Sequence, residues 1–334
     1  KGRFTDISVP AGIAAHAGTG MGTVCADYDN DGDTDIYVGN DVAGNSIFEN
    51  NGQGQFDEVG LLTGLAYDLA GKAQGTMGVD CGDYNNDGLL DFFVTSYQRD
   101  LATLYRNLDS GIFEDVTRPT GAGDQSYAFV TWGNGLVDVD NDGDLDLFVA
   151  CGHLHDNVAL FDRSTSYEAR NILLENRGAE RFVNITDQAG EGLQVERSSR
   201  GAAFADLDND GDMDAVILNS RKAPTVLRNN TVSPNHWLGI RLQGTQSNRN
   251  GIGAHVKVVA GDLSQLAEVH SGRGYQSHYG LRLHFGLGTH TRVDAIEVRW
   301  IGGARDALKD VPVDRFMTIV QGTHPVPSGK RPEP

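Results

Sequence analysis

The chain has 334 residues, 39 % of them hydrophobic, and a formal net charge of −19. That is enough apolar material for two or three domains, while the acidic surplus argues against nucleic acid and anionic membrane, both of which need a basic face. No apolar run approaches the ~20 residues of a membrane helix, and the opening "KGRFTDIS" has no leader pattern, so we expect any export signal to be removed or to lie upstream.

In chain order, "GRFTDIS" (Gly2–Ser8) reads as a lone strand. Then a unit begins that occurs four times. A short apolar strand, A ("GMGTVCA", "TMGVDCG", "TWGNGLV", "RGAAFA"), leads into an acidic loop. The loops with the strand B that follows read "DYDNDGDTDIYVGN", "DYNNDGLLDFFVTS", "DVDNDGDLDLFVAC" and "DLDNDGDMDAVILN". Asp27, Asp83, Asp138 and Asp206 open them, at intervals of 56, 55 and 68 residues. Strand C, a Gly/Asn turn and strand D follow in "SIFENNGQGQFDEVG", "TLYRNLDSGIFEDVT" and "ILLENRGAERFVNIT"; the fourth unit has only C, Thr225–Asn229. Runs of four to seven apolar or alternating residues between turn signals are strands. Four antiparallel strands at this period are a β-propeller blade, and stacking blades buries both faces of each sheet. Gly2–Ser8 either completes a missing blade or closes a four-bladed ring onto the fourth.

Within each loop, carboxylates or amides stand at positions 1, 3, 5 and 9, and glycine at 6. They are Asp27, Asp29, Asp31 and Asp35; Asp83, Asn85, Asp87 and Asp91; Asp138, Asp140, Asp142 and Asp146; Asp206, Asp208, Asp210 and Asp214. Ca²⁺ takes roughly 6–8 oxygens from carboxylates, carbonyls and water, and alternate side chains of a tight loop supply them around one ion. Position 7 (Asp33, Leu89, Asp144, Asp212) would add a backbone carbonyl while its side chain faces solvent. Four loops imply about four Ca²⁺, each stapling strand A to strand B, with the second weakest for want of a carboxylate at Asn85. Asx-turns alone would explain one such loop, but not four with one glycine register.

From Asn235 the pattern changes to alternating strands with Gly turns ("HWLGIRLQ", "AHVKVVAG", "LAEVHSG", "LRLHFGLG", "AIEVRWIGG", "FMTIVQG"), a compact β-sandwich. The expected divisions are a propeller over 1–232, the sandwich over 235–322 and a Pro-rich disordered tail over 323–334. Cys25, Cys81 and Cys151 form no disulfide framework and read as small buried residues; a Cys25–Cys81 bridge does not follow from spacing. Asn184 and Asn229 open glycosylation sequons.

The acidic hairpins with "LYRN…G.F.DVT" strands resemble FG-GAP/VCBS repeats, the integrin-α type of blade, and the last third resembles the ASPIC/UnbV domain. The combination is similar to the cartilage acidic protein–like family of secreted calcium-binding proteins. That resemblance implies an all-β fold, four blades of a larger, roughly seven-bladed ring, and a secreted, cell-surface or, in a bacterium, periplasmic location. It also implies matrix or cell-surface binding.

The acidic loops occupy one rim. Ligands would then meet the other, built from the B–C connections 39–46, 96–102, 152–170 and 219–224 and the D–A stretches 66–76 and 121–128. On it lie Tyr67, Tyr97, Tyr127 and Tyr167, and His153, His155 and Asp156, a histidine spacing that suits either a transition metal or loop scaffolding. The motifs searched for (G-x-S-x-G, H-E-x-x-H, a Walker loop, C-x-x-C) are missing, and "GTGMG" (18–22) leads into a strand, not a helix. We therefore expect a binding or adhesion module for extracellular protein or glycan, without catalysis. A subunit of an extracellular assembly or oligomer is the alternative, and a polysaccharide-active enzyme a more distant one.

Overall fold

The computed structural model describes residues 2–109, 111–178 and 181–326. Each acidic hairpin joins the first two strands of an antiparallel sheet. The first sheet orders β1 (Gly20–Ala26), β2 (Asp35–Asn40), β3 (Ser46–Asn50) and β4 (Phe56–Glu58). The second orders β5 (Val79–Gly82), β6 (Asp91–Val94), β7 (Thr103–Asn107) and β8 (Phe113–Asp115). The third holds β9 (Thr131–Val137), β10 (Asp146–Cys151), β11 (Ile172–Asn176) and β12 (Phe182–Asn184). The fourth has three strands, β13 (Ser199–Ala205), β14 (Asp214–Asn219) and β15 (Thr225–Leu227). Single helical turns, α1 (Gly60–Thr63) and α2 (Thr117–Thr120), follow β4 and β8.

The sheets stack like blades because successive strand residues point to opposite faces. In β6, Phe92 enters the cluster shared with the first sheet, beside Val24 and Tyr37. Its neighbour Phe93 enters the cluster shared with the third, beside Leu147 and Leu174. Both rings are buried, each contributing about 1.5–3 kcal/mol relative to exposure. The inner strands neighbour one another in sequence order: β1 on β5, β5 on β9, β9 on β13.

Two expectations need correction. Residues 2–8 form no strand and are exposed; Asp6 instead accepts the Ser8 N–H and Oγ–H in a local turn. The segment pairs with none of the described sheets, so it does not close a four-bladed ring onto the fourth; the alternative, completion of a preceding blade, concerns strands this chain does not contain. Cys25 is exposed, unlike its buried equivalent Cys81, and all three cysteines are free thiols.

The C-terminal sandwich forms from seven strands: β16 (Trp237–Gln243), β17 (His255–Ala260), β18 (Leu263–Glu268), β19 (Arg282–Gly286), β20 (Arg292–Arg299), β21 (Arg305–Pro312) and β22 (Arg315–Val320). One sheet orders β19-β16-β22, with β16 and β22 parallel; the other orders β18-β17-β20-β21. Leu238, Ile240, Val256, Phe285, Val298 and Trp300 fill the core between them. β21 was absent from the sequence reading, and β18 begins three residues before "LAEVHSG". Most of the expected disordered tail, residues 327–334, lies outside the described residues.

Candidate metal centres and the surface that covers them

Each acidic loop is first tied down by its own aspartates. The position-6 glycine N–H donates to the position-1 carboxylate: Gly32 to Asp27 (3.1 Å), Gly88 to Asp83 (2.9 Å), Gly143 to Asp138 (2.9 Å) and Gly211 to Asp206 (3.0 Å). These glycines have φ between 87° and 101°, and the asparagines at position 4 (Asn30, Asn86, Asn141, Asn209) between 58° and 62°. Both are left-handed conformations that Gly and Asn adopt more readily than other residues. The position-9 aspartate holds strand C: Asp35, Asp91, Asp146 and Asp214 accept the N–H of Asn50, Asn107, Asn176 and Asn229 at 2.7–2.8 Å.

Those bonds leave particular oxygens unused. In three loops the second position-1 oxygen, Asp27 Oδ1, Asp138 Oδ1 or Asp206 Oδ1, is buried without a hydrogen-bond partner, as is Asp35 Oδ2. A buried orphan acceptor costs about 1–3 kcal/mol, more when charged. Around these oxygens ligand atoms converge to within 4.8 Å: Asp27, Asp29 and Asp35; Asp138, Asp140 and Asp146; Asp206, Asp208 and Asp210. Three hard oxygen cages with orphan carboxylates fit a divalent cation. Asp31, Asp33, Asp142, Asp144, Asp212 and Asp214 belong to the same loops without entering those trios. The second loop does not gather a comparable trio among the described residues. There Asp83 Oδ1 accepts the Asp87 N–H, and Asn85 Nδ2 donates to Asp87 Oδ2 (2.9 Å). Leu89 donates its N–H to Asp87.

Burial dominates the electrostatics, with the neighbouring carboxylates adding to it. Desolvation pushes Asp35 up to about 8, Asp83 to about 7, and Asp142 and Asp212 to about 6. It raises Asp91, Asp138 and Asp146 well above the usual carboxylate range, and Asp27, Asp29, Asp140, Asp144 and Asp206 in the same direction. A cation entering beside the raised carboxyls favours their ionised form.

Two sets of asparagine latches join the loops of neighbouring blades. Asn107, Asn176 and Asn229 Nδ2 donate to the carbonyls of Tyr28, Tyr84 and Val139, position 2 of the preceding loop (2.7–2.9 Å). Asn86 Nδ2 reaches Asp144 Oδ1 (2.7 Å), and Asn141 Nδ2 reaches Asp212 Oδ1 (2.9 Å). The position-7 side chains Asp144 and Asp212 thus face a neighbouring blade and not solvent, which corrects the expectation. The latches also occupy Asn229, while Asn184 Nδ2 is itself buried, so neither sequon presents a free amide.

The sandwich covers this rim. Arg299 Nη2 pairs with Asp27 Oδ2 (2.6 Å), and Glu268 Oε2 accepts the Asp27 N–H (3.1 Å). His284 Nε2 meets Asn141 Oδ1 (2.6 Å), and Arg282 donates to the Asp206 carbonyl (2.7 Å). A Cβ on Gly211 would lie 1.9 Å from the Trp237 indole nitrogen, so only glycine admits this approach. Farther in, Asp80 of β5 is fully buried. It pairs with Arg273 and accepts the Tyr279 hydroxyl and the Leu136 N–H (2.8 Å). Arg273 also donates to the Cys81 carbonyl (3.0 Å) and lies 4.4 Å over the Tyr279 ring.

On the opposite rim the candidate histidine cluster is taken apart. His153 is buried, its Nδ1 accepting the His155 N–H (3.0 Å), and Asp156 pairs with Arg221 (2.6 Å). These contacts favour loop scaffolding. Tyr67 and Tyr127 are exposed, Tyr97 and Tyr167 half-buried.

Comparison with known proteins places these features in a family. The FG-GAP-like repeat model matches residues 27–94, 83–149 and 138–217, and the ASPIC and UnbV model matches 244–326. Human cartilage acidic protein 1 is 23 % identical over 304 residues, covering 89 % of this chain and 43 % of its own length. The mouse protein of that name is 23 % identical over 327 residues, covering 96 % and 47 %. The chain therefore spans about half the length of the curated relatives it matches. A rhamnogalacturonan lyase from Bacillus licheniformis superposes with a TM-score of 0.37 at 14 % identity, over 88 % of this chain and 57 % of the other, a likeness too loose to carry an argument.

Proposed function

The chain belongs to the FG-GAP-like repeat family, with an ASPIC and UnbV domain behind the repeats, and from that premise we propose a calcium-stapled extracellular binding module for protein or glycan ligands. The observation that carries the calcium reading is the orphaned, buried position-1 oxygen in three loops. No hydrogen bond inside the protein satisfies it, and a hard cation would. Ca²⁺ suits cages with several oxygen donors on a flexible loop, whereas Mg²⁺ demands near-octahedral geometry and keeps its waters. Extracellular modules bind Ca²⁺ at roughly 10⁻⁴–10⁻³ M, so such sites fill outside cells and stay largely empty in cytosol. Binding and not catalysis is supported by the repetition of the cage in three of the four acidic loops; an ion held for chemistry would be expected once. No helix among the described residues is long and apolar enough to cross a membrane.

The sandwich covers the ion rim, which leaves the opposite rim for ligands. The assembly reading draws support from β15, an outer strand with no fourth strand beside it among the described residues and Val226 61 % exposed; such an edge can accept a strand from another chain. Calorimetric titration with Ca²⁺, followed by glycan-array and pull-down screening in Ca²⁺ against chelator, tests the proposal. We expect binding heat from the first, third and fourth loops, least from the second, and ligand capture only with Ca²⁺. No heat at 5 mM Ca²⁺ would remove the calcium reading, and capture unchanged by chelator would remove its link to binding.

A further inference from the structure

Beside α2 and β12, the connection 121–128 leaves an open groove of about 800 Å³ that runs along β12 to Arg181, in the turn at its acidic-loop end. That volume lies in the range of small-ligand sites. The groove departs from the repeat. One blade earlier, Asp115 uses both carboxylate oxygens: it accepts the Thr117 N–H (3.0 Å) and, from the preceding connection, the Leu69 N–H (2.9 Å). Asn184 stands at the equivalent place. Its Oδ1 accepts the Thr186 N–H (3.0 Å), but Nδ2 is buried and finds no partner. The bond that closes the earlier gap is missing, and the groove opens there.

Its lining has a definite chemistry. Arg118 and Arg181 are exposed and form no ion pair among the described residues, in a chain of net charge −19. Tyr127, 55 % exposed, lines the same groove. Its backbone is fixed: its carbonyl accepts the Arg99 N–H (2.8 Å), and the adjoining Ser126 hydroxyl donates to the Gly123 carbonyl (2.7 Å) and accepts the Ala102 N–H (3.0 Å). Asp124 and Gln125 complete the polar wall.

We propose that this groove binds an acidic sugar unit of an anionic glycan. Arg118 and Arg181 take its carboxylate or sulfate, since a guanidinium matches those planar or forked oxygens. Tyr127 stacks on the ring, and Asp124 with Gln125 meets hydroxyls. A peptide fits less well, because β12 offers only three residues of sheet edge for an added strand. The inference rests on the binding-module reading and names its ligand class.

The test is calorimetry on the whole chain in Ca²⁺ with four probes of matched length: an oligogalacturonate, a sulfated oligosaccharide, a neutral oligosaccharide and an oligoglutamate. We expect one or both acidic sugars to bind and the neutral one not to. Arg118→Ala with Arg181→Ala should weaken binding roughly tenfold or more per arginine, and Tyr127→Ala about two- to tenfold with little salt dependence. Circular dichroism and Ca²⁺ heats matching the parent protein show that these exposed substitutions leave the fold intact. The two acidic sugars tell carboxylate from sulfate recognition. Equal binding of oligoglutamate points to an acidic peptide and overturns the proposal, as does binding unaffected by the arginine substitutions. Capture of other ligands on the array, with all four probes silent, sinks the groove and keeps the binding module; silence throughout sinks both.

Discussion

Asp138→Asn should change protein stability in opposite directions with and without calcium. Asp138 Oδ2 accepts the Gly143 N–H, and an asparagine oxygen can keep that bond. Oδ1, buried and unpartnered, is the atom a cation would need, and the amide group of asparagine would point a donor at it. At 10 mM Ca²⁺ and a dissociation constant of roughly 10⁻⁴–10⁻³ M, mass action stabilises each filled site by about 1.4–2.7 kcal/mol. Losing that term lowers the melting temperature by about 2–4 °C for a chain of this size. In chelator the same change removes a buried carboxylate crowded by Asp140 and Asp142, whose repulsion raises its pKa beyond what burial alone does, so the variant should melt higher than the parent. Thermal melts of both proteins in 10 mM Ca²⁺ and in chelator decide it. Equal destabilisation in both buffers would mean that Asp138 acts only as a turn residue, and the cage argument would fail.

Arg273→Met leaves the buried Asp80 without its cation; removing one partner of a buried pair costs about 3–5 kcal/mol. Urea unfolding should show that loss, and adding Asp80→Asn should restore part of it, because the orphaned charge is then gone. The pH dependence carries a definite sign. Asp142 and Asp212 titrate at about 6, Asp83 at about 7 and Asp35 at about 8 in the fold, all above the unfolded value of 3.8. Raised carboxyl pKa values stabilise the ion-free protein below pH ~4, and that stabilisation is lost as pH rises through 6–8. Ca²⁺ requires the deprotonated groups, so the gap between melting temperatures in Ca²⁺ and chelator should widen from pH 5 to pH 8. A constant gap would contradict the raised values.

The acidic loops and their strands were legible because their determinants are local. Position-1 and position-6 residues bond across five residues, and Asn and Gly advertise the left-handed backbone they need. The latches were not read, since Asn176 and the Tyr84 carbonyl are 92 residues apart. A signal was present nonetheless: an asparagine ends the third strand in all four copies, at Asn50, Asn107, Asn176 and Asn229. Asp80 was also missed. It stands where the other A strands carry Val24, Gly135 and Ala203, and a charge at a position its repeats keep apolar or small marks a special partner. Residues 2–8 have a strand-like composition but pair with none of the described sheets.

The placement of the sandwich gives the ion cages a second consequence. Its contacts on the loops fall largely on features that loop conformation creates: the Asp206 carbonyl, the Asp140 carbonyl that accepts Asn235 Nδ2 (2.9 Å), and the side chain of left-handed Asn141. Arg299 and the Gly32 N–H share Asp27 Oδ2, leaving Oδ1 free to face a cation. A cation on the inner oxygen and the guanidinium on the outer one do not compete for the same atom, and both favour the ionised carboxylate. Repulsion among the aspartates of an empty loop, by contrast, would distort the surface the sandwich reads. On the proposed calcium reading, ion binding and domain docking would be linked in free energy, and by reciprocity a docked sandwich would tighten ion binding in the loops it covers. The hydrogen bonds and ion pair named here join the sandwich to the first, third and fourth loops, the same three whose position-1 oxygens are left without a hydrogen bond.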